Sequence, residues 1–286
     1  MTTIAGSGRS GAASLSRDHP MLLRLGRVGW FVKGLVYVLA GALAIIVVAR
    51  SYGTKLVSGP TQEASPTGAI KEVATVGGGR ALLVVLAVGL IFYALWRVVT
   101  ALLPGGTGAE AMATRVGYLV SAIIYGTFSA TALSLARDPK QNADGNQKVS
   151  SISARLLDSP AGRIALGTAG AIAIGAGLYR IVKGVRGDVT QELDLSGMSA
   201  TRRSVTKRLG MIGEVGRGIG IGVIGIFLLR AAVFVNANEA TGLDGALRRL
   251  TRNAEGRAVV VVVAAGFLLY GVLCVETCNR RTLQAP

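Results

Sequence analysis

Residues 256–275 read GRAVVVVVAAGFLLYGVLCV, and from Ala258 to Val275 the run carries no charge. A helix needs about 20 mostly apolar residues to cross a hydrocarbon core of about 30 Å, so this stretch has the length of one membrane span. Five consecutive valines would also suit a strand. An isolated strand in lipid leaves its backbone groups unpaired, which decides for a helix.

The opening of that stretch recurs. Residues 79–98 read GRALLVVLAVGLIFYALWRV and residues 162–182 read GRIALGTAGAIAIGAGLYRIV. In this register Gly89 aligns with Gly266, Tyr93 with Tyr270, and Trp96-Arg97 with Tyr179-Arg180; Leu273-Cys274 departs from the aromatic-Arg pattern. The segments between them match as well. Arg27-Val28-Gly29-Trp30 aligns with Arg115-Val116-Gly117-Tyr118, Tyr37 with Tyr125, Gly29 with Gly213, and Lys33-Gly34 with Arg217-Gly218. Matches in one register across both helices define a two-span unit present three times.

The reading is therefore all-α: six transmembrane helices in three two-helix repeats. A polar tail, expected to be disordered, covers 1–24. Repeat 1 is 25–103 (spans 28–49 and 81–103), repeat 2 is 113–183 (spans 116–136 and 164–182), and repeat 3 is 207–278 (spans 211–235 and 258–275). A two-span unit returns the chain to its starting side, so all copies point the same way. An axis along the membrane normal then relates them, with pseudo-threefold symmetry expected. Lys33, Ser121 and Arg217 fall at equivalent positions, two turns into the odd spans. Between spans five and six, Ala246 to Thr251 reads as a short interfacial helix. Between spans three and four, Asp138 to Asn146 reads as a flexible turn-rich loop.

Composition agrees. Hydrophobic residues make up 51% and charged residues 16%, against about 25% charged in soluble domains. The net charge of +16 comes from Lys and Arg at span ends and in loops, which suits lipid headgroups rather than nucleic acid. Fifteen Lys/Arg lie on the face of the N-terminus and fourteen on the other. The cluster of Arg202, Arg203, Lys207 and Arg208 tips the expectation toward both termini in the cytoplasm. Two cysteines and one histidine leave no metal site and no cofactor to expect. Cys274 and Cys278, four apart, read as inert thiols.

The repeated Gly-Arg opening and the Arg/Gly approach to the odd spans resemble a bacterial family of unknown function built from three tandem two-helix units. The resemblance covers residues 20–280 and implies a six-span bundle in the inner membrane. It brings no catalytic residue. Mitochondrial carriers share the length and the threefold repeat, but none of the seven prolines begins their Pro-x-Asp/Glu-x-x-Lys/Arg motif.

Few residues can carry chemistry. Lys33, Glu214 and Arg217 are ionisable groups inside spans, which are costly there and often functional. Glu214 and Arg217, three apart, can pair on one helix face. Lys33 and Arg217 could together hold an anion or a lipid headgroup. Alternatively, all three snorkel to the interface. Arg97, Arg180 and Lys183 read as interfacial anchors. Gly216 with Gly220, and Gly218 with Gly222, form two overlapping G-x-x-x-G pairs for helix packing. Gly167, Gly170, Gly175 and Gly177 could act likewise in span four. Gly220, Gly222 and Gly225 also spell G-x-G-x-x-G, but inside an apolar span that is no dinucleotide site.

The expected function is a non-catalytic scaffold, or a protein that engages membrane lipids (anionic ones included), a membrane-protein partner or a second copy. The alternative is a transporter or channel for a small, anionic solute. No histidine in a span and no acidic pair supports an intramembrane enzyme.

Overall fold

The computed structural model describes residues 20–52, 67, 70, 71, 73, 78–103, 108–138, 145–189, 193 and 197–280. Among these the chain is all-helical. The helices are α1 (Pro20–Ser51), α2 (Gly79–Leu102), α3 (Ala109–Arg137), α4 (Gly145–Leu157), α5 (Pro160–Arg186), α6 (Ala200–Val233), α7 (Leu243–Leu250) and α8 (Ala254–Thr277). Six are long and apolar enough to cross a membrane: α1, α2, α3, α5, α6 and α8. Each overlaps one of the six expected spans, but α6 begins at Ala200, eleven residues before the expected 211, and so takes in the basic cluster of Arg202, Arg203, Lys207 and Arg208. α1 begins at Pro20, inside the segment expected to be disordered; the rest of that tail lies outside the described residues.

The short helices explain the Gly-Arg signature in its second and third copies. α7 overlaps the short helix expected over Ala246 to Thr251 but begins three residues earlier, at Leu243. α4 was expected as loop, although residues 139–144 of that stretch lie outside the described residues. Each short helix delivers a leucine carbonyl onto the start of the next span. A Cβ on Gly162 would collide with the Leu156 carbonyl, and one on Gly256 with the Leu250 carbonyl. The first backbone N–H groups of a helix have no partner within it, and a side chain supplies one in both cases. Ser159 Oγ accepts from the Gly162 N–H at 3.1 Å, and Asn253 Oδ1 from the Gly256 N–H at 2.8 Å. Arg163 then donates from Nε to the Leu157 carbonyl at 3.2 Å, tying α4 to α5. In the second and third copies the signature therefore marks a corner between a short helix and a span; in the first, the N-cap of α2 is Gly78, with no side-chain cap.

The spans pack in the order α3, α2, α1, α8, α6, α5. α1, α2 and α8 form the core. In α1, 56% of the spanning window is buried, against 17% in α5. The interfaces between successive repeats are α1 with α8, α3 with α2, and α6 with α5, and they use equivalent positions. Gly34 meets Gly271, and Gly218 meets Gly177, each at Cβ-to-carbonyl distances of 2.6–2.8 Å. Buried Ala122 and Ala94 hold those positions in the third interface. Two turns on, a Cβ on Gly41 would stand 3.0 Å from the Ala264 carbonyl, and one on Gly225 2.7 Å from the Gly170 carbonyl. Ser129 Oγ donates to the equivalent Ala87 carbonyl at 2.8 Å. Such small-residue contacts let backbones approach where water provides no driving force.

Within repeats the pattern is less uniform. Gly29 packs on Tyr93 and Gly213 on Tyr270, while Gly89 packs on Val32 and Gly266 on Gly216. In repeat 2 the helices α3 and α5 share no packed interface among the described residues. Ile172 stands in the register of Gly89 and Gly266 and is exposed, and Gly117 has nothing within reach of a Cβ. The bulky side chain sits where close approach needs none. The packing does not establish a pseudo-threefold axis.

A buried cation–aromatic cluster as the candidate functional site

Lys33 lies about 10 Å along α1 from Gly26, at 1.5 Å per residue. Its side chain is only 2% exposed. Nζ donates to the Tyr93 hydroxyl at 2.7 Å and to the Tyr270 hydroxyl at 2.9 Å. It also stands 4.1 Å from the Trp30 ring centre and 4.4 Å from that of Tyr93. A desolvated ammonium held by ring faces and hydroxyl oxygens has replaced much of its hydration shell.

The neighbouring charges use the same rings. Arg97 Nε donates to the Tyr93 hydroxyl at 2.8 Å, and its guanidinium lies 4.8 Å from the Tyr118 ring. Arg217 lies over the other side of the cluster, 3.9 Å from Tyr270 and 5.1 Å from Tyr37. Its Nη1 donates to Glu214 at 2.8 Å, and Arg180 donates to the second oxygen of the same carboxylate, also at 2.8 Å. Edge-to-face ring pairs complete the cluster. Trp30 meets Tyr93 at 5.1 Å, Tyr93 meets Tyr125 at 4.5 Å, and Tyr37 meets Tyr270 at 5.1 Å. The Tyr125 hydroxyl donates to that of Tyr37 at 3.2 Å.

Lys33 and Arg217 both contact Tyr270, Lys33 at its hydroxyl and Arg217 at its ring, and the expected pair of Glu214 with Arg217 forms. Snorkelling is corrected: Lys33 and Arg217 (7% exposed) are enclosed by protein. Arg97, expected as an interfacial anchor, is 8% exposed and held within the cluster. Arg180, one-third exposed, is paired with Glu214. Cys274 is buried beside Gly34, and Cys278 is a second free thiol. No group of three or more His, Cys, Asp or Glu residues able to hold a metal occurs among the described residues.

The packing glycines divide differently from their sequence pairs. Gly216 faces α8 and Gly218 faces α5, so neighbours in sequence serve opposite sides of α6. Gly220 makes ordinary contact at 3.5 Å with Leu243 and Val263. A Cβ on Gly222 would meet nothing within 4 Å, while its backbone forms part of the surface on which Gly177 of α5 packs. In α5 Gly170 and Gly177 are the tight ones, whereas Gly175 is open.

The four tyrosines and Trp30 were missed as functional residues. Their signal lay in the repeat itself: Tyr93 with Tyr270 and Tyr37 with Tyr125 are matching positions. Equivalence also relates the charges. Arg97 against Tyr118 and Arg180 against Glu214 are one contact made at two repeat junctions. Repeat 2 puts Ser121 and Ala176 where the others have a cation and a tyrosine.

Six apolar spans, three two-helix units and a sealed polar cluster define a polytopic helical membrane protein built by tandem repetition. The chain belongs to the family described as Domain of Unknown Function (DUF1206), which matches it three times, over residues 28–103, 116–187 and 212–276. It is similar to "Uncharacterized protein YxxB" of Bacillus subtilis (strain 168), 30% identical over 259 residues covering 90% of each chain. No solved structure matches.

Proposed function

We propose that the protein is a non-catalytic scaffold of a bacterial inner membrane, a bundle that engages lipids and membrane partners. One observation carries this reading. The cations that a transporter of anions would offer its cargo are already engaged by the protein's own groups. Lys33 is held by two tyrosine hydroxyls, Arg97 by one, and Arg217 by Glu214 and the Tyr270 ring. The cluster links α1, α2, α3, α6 and α8 across all three repeats. It serves as the polar keystone of the bundle. Conduction would require breaking several charge-assisted hydrogen bonds, each worth about 1.5–3 kcal/mol.

The transporter reading keeps one observation in its favour, that Lys33 and Arg217 converge on Tyr270. The Lys33→Ala/Arg217→Ala double variant separates the two. The scaffold reading expects it to unfold more easily in detergent than the wild type, and expects wild-type vesicles to show no solute flux above protein-free vesicles. An anion flux in the wild type, abolished in a double variant that is as stable as the wild type, would overturn it.

A further inference from the structure

The ends of α6 and α7 build a second polar site, remote from the cluster. α6 closes with an unusual cap. The Phe234 N–H reaches the Arg230 carbonyl at 2.9 Å, Val235 adopts φ 50°, and the Asn236 N–H bonds the Ala231 carbonyl at 3.1 Å. This is the Schellman turn, in which glycine normally takes the left-handed position. A β-branched residue there is a true conformational outlier. The reversal returns Asn238 and Glu239 over the last turns of α6. α7 is pinned by buried Asp244, Ala246 and Leu247 and brings in Arg249.

Between them lies a cavity of about 450 Å³ lined by Phe227, Arg230, Asn238, Glu239, Arg249 and Arg252. Three guanidinium groups face one carboxylate. Glu239 Oε2 is shared at long range, 3.3 Å from Arg230 and 3.5 Å from Arg249, while Arg249 also donates to the Asn238 and Glu239 backbone carbonyls, which leaves Arg230 and Arg252 as the more open donors. Arg252 is exposed and makes no ion pair among the described residues. The neighbouring Arg248 contributes nothing, because Asp244 takes its Nε at 2.9 Å. Arg249 rests on Phe227 and Arg230 on Phe234, which fixes their planes. Phe227 lies about 9 Å inside the end of α6. Ile226, Val233 and Phe234 extend an exposed apolar strip beside the opening.

A net-positive cavity of this size at a span end, with an apolar strip running into the bilayer, fits a molecule that is anionic at one end and hydrocarbon at the other. Guanidinium forks bind phosphate oxygens in pairs. We propose that this cavity takes the phosphodiester headgroup of an anionic phospholipid, in the leaflet reached by the C-terminal ends of the odd spans. The assignment rests on the lipid-engaging part of the proposed function and gives it a place and a ligand class.

The test uses the full chain in phosphatidylcholine nanodiscs with and without phosphatidylglycerol, following thermal unfolding and the lipid retained in native mass spectrometry. Phosphatidylglycerol should stabilise the wild type and be retained. Arg252→Gln and Arg230→Gln should each weaken retention about tenfold, the loss of one charge-assisted contact. Arg203→Gln, at the opposite end of α6, should change nothing. If Arg230→Gln fails to fold, Arg252→Gln, outside the caps, decides. Unchanged retention in Arg252→Gln overturns the site while leaving lipid binding elsewhere intact. No effect of phosphatidylglycerol on the wild type overturns both the site and the lipid reading. Protection by inorganic phosphate equal to that by phosphatidylglycerol would make the ligand a soluble anion and overturn the lipid assignment.

Discussion

Gly218 and Gly222 lie four residues apart on α6, and replacing each with alanine should move stability in opposite directions. Alanine raises intrinsic helix propensity by about 1 kcal/mol over glycine at either position, so that contribution cancels in the comparison. What remains is steric. At Gly218 the new methyl would stand 2.6 Å from the Gly177 carbonyl oxygen and 3.0 Å from the Ile181 nitrogen, where ordinary contact begins at 3.4 Å. Both obstacles are helix backbone, so α5 and α6 must separate by about 0.8 Å, an overpacking cost of about 1–3 kcal/mol. At Gly222 nothing lies within 4 Å. Gly222→Ala should therefore be neutral or stabilising by up to about 1 kcal/mol, and Gly218→Ala should lie about 1–3 kcal/mol below it. Unfolding in mixed micelles of dodecyl maltoside and sodium dodecyl sulfate, followed by far-ultraviolet circular dichroism, gives both values. If Gly218→Ala proves as stable as Gly222→Ala, the glycine contacts do not hold this interface together.

Two further outcomes are expected from the same assay. Glu214→Gln removes the carboxylate between Arg180 and buried Arg217 and should cost about 3–5 kcal/mol; Glu276→Gln, whose partner Arg202 is half exposed, should cost under about 1 kcal/mol. Equal losses would show that the bundle interior is well hydrated. Val235→Gly relieves a left-handed β-branched residue and should stabilise by about 1 kcal/mol. A destabilised Val235→Gly would mean that the apolar side chain matters more than its backbone strain.

The six spans were legible because hydrophobic length is a local property, and the repeat because its Gly-Arg and Tyr positions hold one register. The pair of Glu214 with Arg217 was legible for the same reason, since three residues on a helix share a face. The rest depends on which faces meet. Tyr93 and Tyr270 lie 60 and 237 residues from Lys33, so no local pattern could name them as its acceptors. Depth along a span did not distinguish a snorkelling lysine from an enclosed one, because that depends on neighbouring helices. Gly216 and Gly218 looked like members of parallel packing pairs, but two residues along a helix turn the face by more than half a circle. α4 was hidden because one strongly amphipathic helix lying on a surface carries no long apolar run. Its Leu156 carbonyl, once placed against Gly162, shows why a glycine opens α5.

The seating of the first span against the last has a consequence for biosynthesis. Lys33 and Tyr270 are 237 residues apart, and at about 5–20 residues per second a ribosome takes roughly 12–50 s to make the intervening chain. Through that interval α1 is in or near the bilayer with one of its two hydroxyl acceptors not yet made. Until α8 arrives, the first hairpin holds an ammonium whose final set of hydroxyl acceptors is incomplete. A chain that ended before the last span would leave Lys33 without the Tyr270 hydroxyl, so the last span completes the solvation of a charge carried by the first.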